Sequence, residues 1–201
     1  MFSYKSDLEQ SEELLNWWRL NRVKLITAII SILLVLGGYQ KFVELKQQKL
    51  AEASNMFDRV INGSDKQLAL DLVNKYPKSP YAYLSKLWLA KQLCQQGKWQ
   101  ESIAIYKGIV EQSEQPALRV LANWYMIKAF VETKQYKIAL GELSKINGQE
   151  ALVNELRGDI YTITNQPNSA MTAYNAAYDA TKDDNLRTRI QLKRQNTYRK
   201  K

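Results

Sequence analysis

The hydrophobic pattern near the amino terminus is one continuous run. Residues 25–40 read LITAIISILLVLGGYQ, contain no charged side chain and are dominated by Ile and Leu. As a helix these sixteen residues rise about 24 Å, and flanking Val23, Phe42 and Val43 extend the apolar length to about 21 residues, enough for a bilayer core of ~30 Å. Lys24 and Lys41 can extend their ammonium groups to the two interfaces. The pattern predicts a transmembrane anchor at residues 23–43.

Two other interpretations of this run stay open, a cleaved signal peptide and a buried core helix. A signal peptide has a short basic leader, whereas the leader here is 24 residues long and includes four acidic residues. A segment near the lower length limit can also be a core helix.

If the run is an anchor, Arg19, Arg22 and Lys24 favour a cytoplasmic amino terminus, because basic residues that flank a span are retained on the cytoplasmic side. Residues 1–22 are then cytoplasmic, and residues 44–201 lie outside the cytoplasm, on the opposite side of the membrane.

After the anchor, the chain has the pattern of consecutive helices. Proline occurs only at positions 77, 80, 116 and 167, and no segment alternates apolar and polar residues as a half-buried strand would. The turn residues predict helices at residues 44–61, 64–76, 81–96 and 99–112. Ser64 and Gln67 match a capping box at the start of the second helix, and Gly97 separates the last two.

The spacing of small and large residues repeats along this helical region. A first set lies on the inner face of one predicted helix, and an equivalent set follows 37 residues later. These sets are Trp99, Ser102, Tyr106 and Ile109, then Tyr136, Ala139, Leu143 and Ile146. Ala170 follows Ala139 by 31 residues, so the mean step is 34, which is the period of tetratricopeptide repeats.

The phrase GKWQESIAIY is similar to the turn and second helix of that family, and the chain resembles tetratricopeptide-repeat (TPR) proteins over residues 80–182. We therefore expect an all-α fold, with a single N-terminal transmembrane helix followed by a TPR-like helical-repeat domain, an α-solenoid, at residues 44–186. An antiparallel helical bundle with coincidental spacing is the alternative.

The resemblance also implies a concave face for protein binding. The first helices of the repeats would contribute Leu84, Leu87, Lys91 and Gln95, then Leu121, Trp124 and Lys128, and then Leu152, Glu155 and Asp159. An apolar groove flanked by lysines suits unfolded or extended polypeptide. The alternative is that the helices at residues 44–76 pack there and bury it. In the anchor, Thr27 and Ser31 form a small-residue notch to which another membrane helix could pack.

Composition narrows the chemistry. Histidine is absent and Cys94 is the only cysteine, which excludes His-based nucleophile activation, His-containing metal sites, multi-thiolate clusters and intramolecular disulfides. No phosphate-loop or dinucleotide motif occurs. We therefore expect a binding protein with no catalytic, cofactor or metal site.

The net charge of +9 is concentrated at the carboxyl terminus. Residues 187–201 contain seven basic side chains and no acidic one, so the rest of the chain carries only about +2. This distribution indicates a basic C-terminal tail and argues against a nucleic-acid surface. Such a tail is usually solvated, although its charges can attract anionic membrane lipid. The alternative is a capping helix that uses Leu186, Ile190 and Leu192 against the last repeat, followed by a disordered basic end.

Taken together, the leader with WWRLNRVKLITAII, the segment WLAKQLCQQGKWQESIAIY and the segment LRGDIYTITNQPNSAMTAYNAAYD resemble the YfgM family, an ancillary subunit of the bacterial SecYEG translocon. The resemblance implies a type II inner-membrane protein with its C-terminal domain in the periplasm. It implies that the protein helps pass unfolded exported polypeptides to a membrane-anchored, PpiD-like chaperone of the prolyl-isomerase class. A structural scaffold of an envelope complex, or a stress-response regulator that binds no substrate, is the alternative.

Overall fold

The computed structural model describes residues 7–199. In that part of the chain it has nine α-helices and no strand, which confirms the all-α prediction. The chain divides into two compact units, Met1–Glu52 and Ala53–Lys201. The helices are α1 Asp7–Gly63, α2 Lys66–Lys75, α3 Pro80–Gln95, α4 Trp99–Gln112, α5 Pro116–Glu132, α6 Tyr136–Leu143, α7 Glu150–Ile163, α8 Pro167–Asp179 and α9 Asp184–Arg199.

In the N-terminal unit, the described residues are helical and form part of α1. The large apolar side chains from Ile26 to Leu36 are exposed along this helix. By length and composition, α1 contains a candidate membrane span, the one such helix within residues 7–199. Exposed apolar side chains in a charge-free helical run are what a lipid-facing segment requires.

The polar side chains of this run are satisfied within the helix. The Thr27 hydroxyl donates to the Lys24 carbonyl at 2.9 Å, and the Ser31 hydroxyl donates to the Thr27 carbonyl at 2.8 Å. Neither hydroxyl therefore requires a partner outside the helix, which lowers its cost in a bilayer.

The C-terminal unit is built from helix pairs that share the same internal turn. Gly97, Lys134 and Asn165 each adopt positive φ, at 74°, 59° and 56°, between the two helices of the pairs α3/α4, α5/α6 and α7/α8. The turns therefore recur with the 37- and 31-residue steps seen in the small-residue pattern. Helices α3 and α4 begin and end within one residue of the predicted bounds.

Small residues allow the helices of each pair to approach closely. Ser102, Ala139 and Ala170, which the repeat pattern places at equivalent positions, are all fully buried. Gly158 is the tightest of these contacts, because a Cβ atom at this position would lie only 2.5 Å from Cε1 of Tyr174. The Tyr174 ring thus occupies the space that a side chain at position 158 would need, and the pair α7/α8 depends on this glycine.

The start of α2 differs from the prediction. Ser64 does not cap this helix, because the chain turns sharply after Gly63 and Ser64 adopts a left-handed φ of 50°. Asp65 has the extended backbone of an N-cap residue, and its carboxylate accepts a hydrogen bond from the Leu68 amide at 3.0 Å. The Gln67 side chain donates to Asp71. The predicted Ser64–Gln67 capping box is therefore wrong by one residue.

The carboxyl-terminal region also differs from the favoured interpretation. Residues 184–199 form α9, and Ile190 is fully buried in a cluster with Ala170, Tyr174 and Ala177 of α8. The capping helix, rather than a solvated tail from residue 187, is what the described residues form. The basic composition concealed this apolar contact, in which Ile190 and Leu186 pack against α8, whereas Leu192 is 56% exposed.

Candidate functional site

A groove of about 990 Å³ lies in the C-terminal unit between the first helices of successive repeats. Helices α5, α7 and α9 provide its lining, together with Gln149 from the turn before α7. First helices line the concave face of a repeat solenoid. The groove thus occupies the position where partners of such domains bind.

One part of the groove is apolar and open to solvent. Leu121 of α5 and Leu152 of α7 are 39% and 40% exposed, and Val120 and Leu156 also contribute to the lining. Trp124 lies half-buried among them, and its indole N–H donates to the Gln149 side-chain carbonyl at 2.8 Å. Because the indole donor is already used, the ring presents an apolar surface to the groove.

The other part of the groove is a cluster of ion pairs between α7 and α9. The Arg189 guanidinium donates from Nε and Nη2 to the two Glu155 carboxylate oxygens, at 2.8 and 2.7 Å. Lys193 Nζ lies 2.8 Å from Glu155 Oε1 and 2.6 Å from Asp159 Oδ2. The Tyr174 hydroxyl completes the cluster by donating to Asp159 Oδ1 at 2.8 Å.

This geometry sets the charge state of Glu155. Burial by itself raises the pKa of this carboxyl, but the hydrogen bonds from Arg189 and Lys193, with their positive charges, lower it more. The pKa of Glu155 therefore lies below its usual value. Burial likewise raises the pKa of the Tyr174 hydroxyl, so this phenol is a neutral donor at physiological pH.

The structure brings six of the predicted concave-face residues together. Leu121, Trp124 and Lys128 line the groove, as do Leu152, Glu155 and Asp159 of the next repeat. Their role in binding stays a prediction.

The other predicted residues, all on α3, lie outside the groove. Leu87 is only 7% exposed and belongs to the core formed by α3, α4 and α5. Leu84 packs partly against the same core, and Lys91 is exposed. The face of α3 that the repeat register assigned to a groove is thus largely used for packing.

The alternative of a cover formed by residues 44–76 applies to a different surface. Val60 of α1 and Ala69 of α2 are fully buried and pack with Leu89 and Trp88 of α3. These contacts cover α3 alone, and the groove lining contains no residue from α1 or α2.

Arg189 and Lys193 were not predicted as groove residues, because the basic composition of the last fifteen residues indicated a tail. The spacing of the charged residues nevertheless indicates their pairing, since each cation follows its carboxylate by 34 residues. A fourth copy of the repeat register would have placed both on the concave face.

Comparisons with known proteins agree with this architecture. The family model described as a tetratricopeptide repeat-like domain matches residues 15–198. A crystal structure of a tetratricopeptide repeat protein from Parabacteroides merdae superposes with a TM-score of 0.57 at 16% sequence identity, covering 76% of this chain. The aligned region spans 61% of that protein's own length. No curated protein matches the chain significantly. Repeat domains of this kind are typically non-catalytic and generally mediate protein–protein interactions.

Proposed function

The chain belongs to the tetratricopeptide repeat-like domain family, and on this premise we propose that it is a membrane-anchored interaction module of the Sec translocon. In this proposal it is an ancillary subunit of SecYEG that helps pass newly exported, unfolded polypeptides to a PpiD-like periplasmic chaperone. The span in α1 holds the protein in the inner membrane as a type II protein, and the repeat unit does the binding.

The observation that carries the binding role is the exposed apolar groove. Leu121 and Leu152 are about two-fifths exposed and adjoin Trp124 in one groove, and a contiguous exposed apolar surface of this kind marks an interaction site. An unfolded polypeptide exposes apolar side chains along an extended backbone, and burying them in such a groove is favourable by ~25 cal/mol per Å². The groove therefore suits a chain that has not yet formed its own core.

The proposed topology rests on the residues that flank the span. Arg19, Arg22 and Lys24 precede the apolar run within six residues, which favours retention of the amino terminus in the cytoplasm. If protease is added to spheroplasts, we expect residues after 44 to be digested while the amino-terminal epitope stays protected. Protection of the repeat unit, or a mature chain that begins after Gly37, would contradict the proposal.

Site-specific photocrosslinking in intact membranes tests the binding role. A photoreactive residue at position 121 or 152 should crosslink to newly exported chains, and one at position 27 should crosslink to a translocon subunit. Ala104 is the control, because it is exposed on α4 but does not line the groove. Crosslinks from the groove to stable envelope subunits alone, with none to exported chains, would instead support the scaffold.

A double substitution checks that binding and folding are separable. Because Leu121 and Leu152 are partly exposed, Leu121→Ser with Leu152→Ser should weaken capture of exported chains while lowering the free energy of unfolding by about 1 kcal/mol for each substitution. Leu87→Ala, in the core, should cost about 2 to 4 kcal/mol. Normal capture by the double variant would contradict a role for the groove.

A further inference from the structure

We infer that the groove selects polypeptide segments in which apolar residues are flanked by acidic ones. This inference rests on the proposed function, because it specifies the chemistry of the segments that the same groove accepts. It follows from which charged side chains of the groove are paired within the chain and which are exposed to solvent.

The two carboxylates of the groove are already paired with other side chains of the protein. Both oxygens of Glu155 accept from Arg189, and both oxygens of Asp159 accept hydrogen bonds, from Tyr174 and from Lys193. The Glu155 side chain is only 8% exposed. A basic side chain of a bound segment would therefore meet carboxylates that are already paired, and would have to displace Arg189 or Lys193 to reach them.

Two cations, Arg189 and Lys128, are the most accessible charges of the groove, whereas Lys193 and Asp159 are each about 30% exposed. The Arg189 side chain is 56% exposed although it pairs with a buried carboxylate. Lys128 lines the groove, is exposed, and forms no ion pair with any residue in the described range 7–199. With Lys193, the lining contains three cations against two carboxylates, a net charge of +1 that Lys128 contributes, so the potential in the groove is positive.

The apolar part of the groove adds a second requirement. The Trp124 donor is taken by Gln149, and the neighbouring exposed side chains Leu121 and Leu152 carry no polar atoms. A polar side chain placed against this surface would lose its hydration without gaining a hydrogen bond. The favoured segment is thus apolar where it contacts Trp124 and acidic where it reaches Lys128.

We expect the acidic flanks to decide which segments bind best while contributing only a small part of the binding free energy. A single exposed charge contact contributes about 0.2 to 1 kcal/mol, so one acidic flank should tighten binding by a factor of about 1.4 to 5 at low salt. The apolar contacts provide the rest of the affinity. Because the Lys128 ammonium and the acidic side chain of the peptide both remain partly solvated, the preference for acidic flanks should fall as added salt shortens the screening length.

The test uses the full chain in nanodiscs of zwitterionic phosphatidylcholine, which removes any contribution from anionic lipid. Three fluorescein-labelled peptides share one core of Leu and Val residues and differ only in their flanks, which are Asp, Asn or Lys. Anisotropy titrations at low and high salt give the dissociation constants. We expect the Asp-flanked peptide to bind most tightly and the Lys-flanked peptide most weakly, with the difference reduced at high salt.

Two variants provide a matched comparison. Lys128→Glu should reverse the order of the Asp- and Lys-flanked peptides. Lys91→Glu changes the net charge equally, at the same register position 37 residues earlier and outside the groove, and should preserve the order.

The outcomes separate this inference from the proposed function. Equal binding of the three peptides, lost in the Leu121→Ser and Leu152→Ser double variant, would overturn the acidic preference and leave the groove as the binding site. A preference that changes equally in Lys91→Glu and Lys128→Glu would also overturn it, since net charge alone would then explain the order. Failure of all three peptides to bind would overturn both the inference and the binding role of the groove.

Discussion

Arg189 donates two hydrogen bonds to Glu155, the residue that precedes it by 34 positions. Lys193 and Asp159 have the same separation and lie 2.6 Å apart. Each pair joins equivalent positions of α7 and α9, which identifies α9 as the first helix of a further repeat. The basic carboxyl-terminal region is thereby part of the solenoid and of its concave face.

Loss of the Glu155 carboxylate should destabilise this end of the solenoid. Glu155→Gln removes one charge from the contacts with Arg189 and Lys193, and we expect the free energy of unfolding to fall by about 1 to 2 kcal/mol because the two cations can still be partly hydrated. Urea denaturation of the full chain in detergent, followed by circular dichroism, measures the change. Glu111→Gln, at an exposed pair with Lys107 3.8 Å away, is the control and should change stability by less than about 0.5 kcal/mol. Equal effects of the two substitutions would contradict the role given to Glu155.

The contribution of Glu155 should depend on pH in a defined direction. Its pKa is lower in the folded chain than in the unfolded one, where it is about 4.3. The stabilisation is therefore present above that value and is lost as the pH falls through the lower, folded pKa. The stability difference between the unmodified chain and Glu155→Gln should be constant from about pH 7 to 5 and decrease below about pH 4. A difference that increased on acidification would be inconsistent with this linkage.

Gly158 should not tolerate even a methyl group. In Gly158→Ala the new Cβ would have to displace the Tyr174 ring, whose hydroxyl also binds Asp159, so we expect a loss of about 1 to 3 kcal/mol. Gly108→Ala and Gly141→Ala are matched controls in α4 and α6, because nothing lies within 4 Å of a Cβ built at either position. Removing a helical glycine should stabilise these controls by about 0.5 to 1 kcal/mol. The midpoint of thermal unfolding should therefore fall in Gly158→Ala and rise in the two controls.

The cap of α2 gives a test at single-residue resolution. Asp65→Ala removes the side chain that accepts from the Leu68 amide and should cost about 1 kcal/mol. Ser64→Gly should be neutral or slightly stabilising, since glycine adopts positive φ without steric cost. If the change at position 64 proved the more harmful, the capping-box prediction would be restored.

The sequence was sufficient to predict the repeated helix pairs. The bounds of α4 followed from Gly97 and from the spacing of Trp99, Ser102 and Tyr106, because a tight turn and a small-residue contact both demand specific residue types. The position of Leu121, Trp124 and Lys128 on the concave face was implied by the resemblance to TPR proteins, whose repeat register these residues match. Local patterns of this kind survive in a single sequence.

The remaining features depend on contacts that local patterns do not encode. Ser64 and Asp65 are both good N-cap residues, and only the path of the chain after Gly63 decides between them. Leu87 has the register of a groove residue, but α3 uses that face against α4 and α5. Arg189 belongs to a basic run, and its pairing appears only when its partner one repeat earlier is considered.

The brevity of α6 has a mechanical consequence for the concave face. This helix has eight residues and buries only Ala139 and Leu143. We therefore expect the junction between α6 and α7 to be more compliant than the longer pair α7/α8, and the two walls contributed by α5 and α7 lie on either side of it. Elastic opening at this point would let the walls adjust to occupants of different bulk while the stiffer pair α7/α8 keeps its shape.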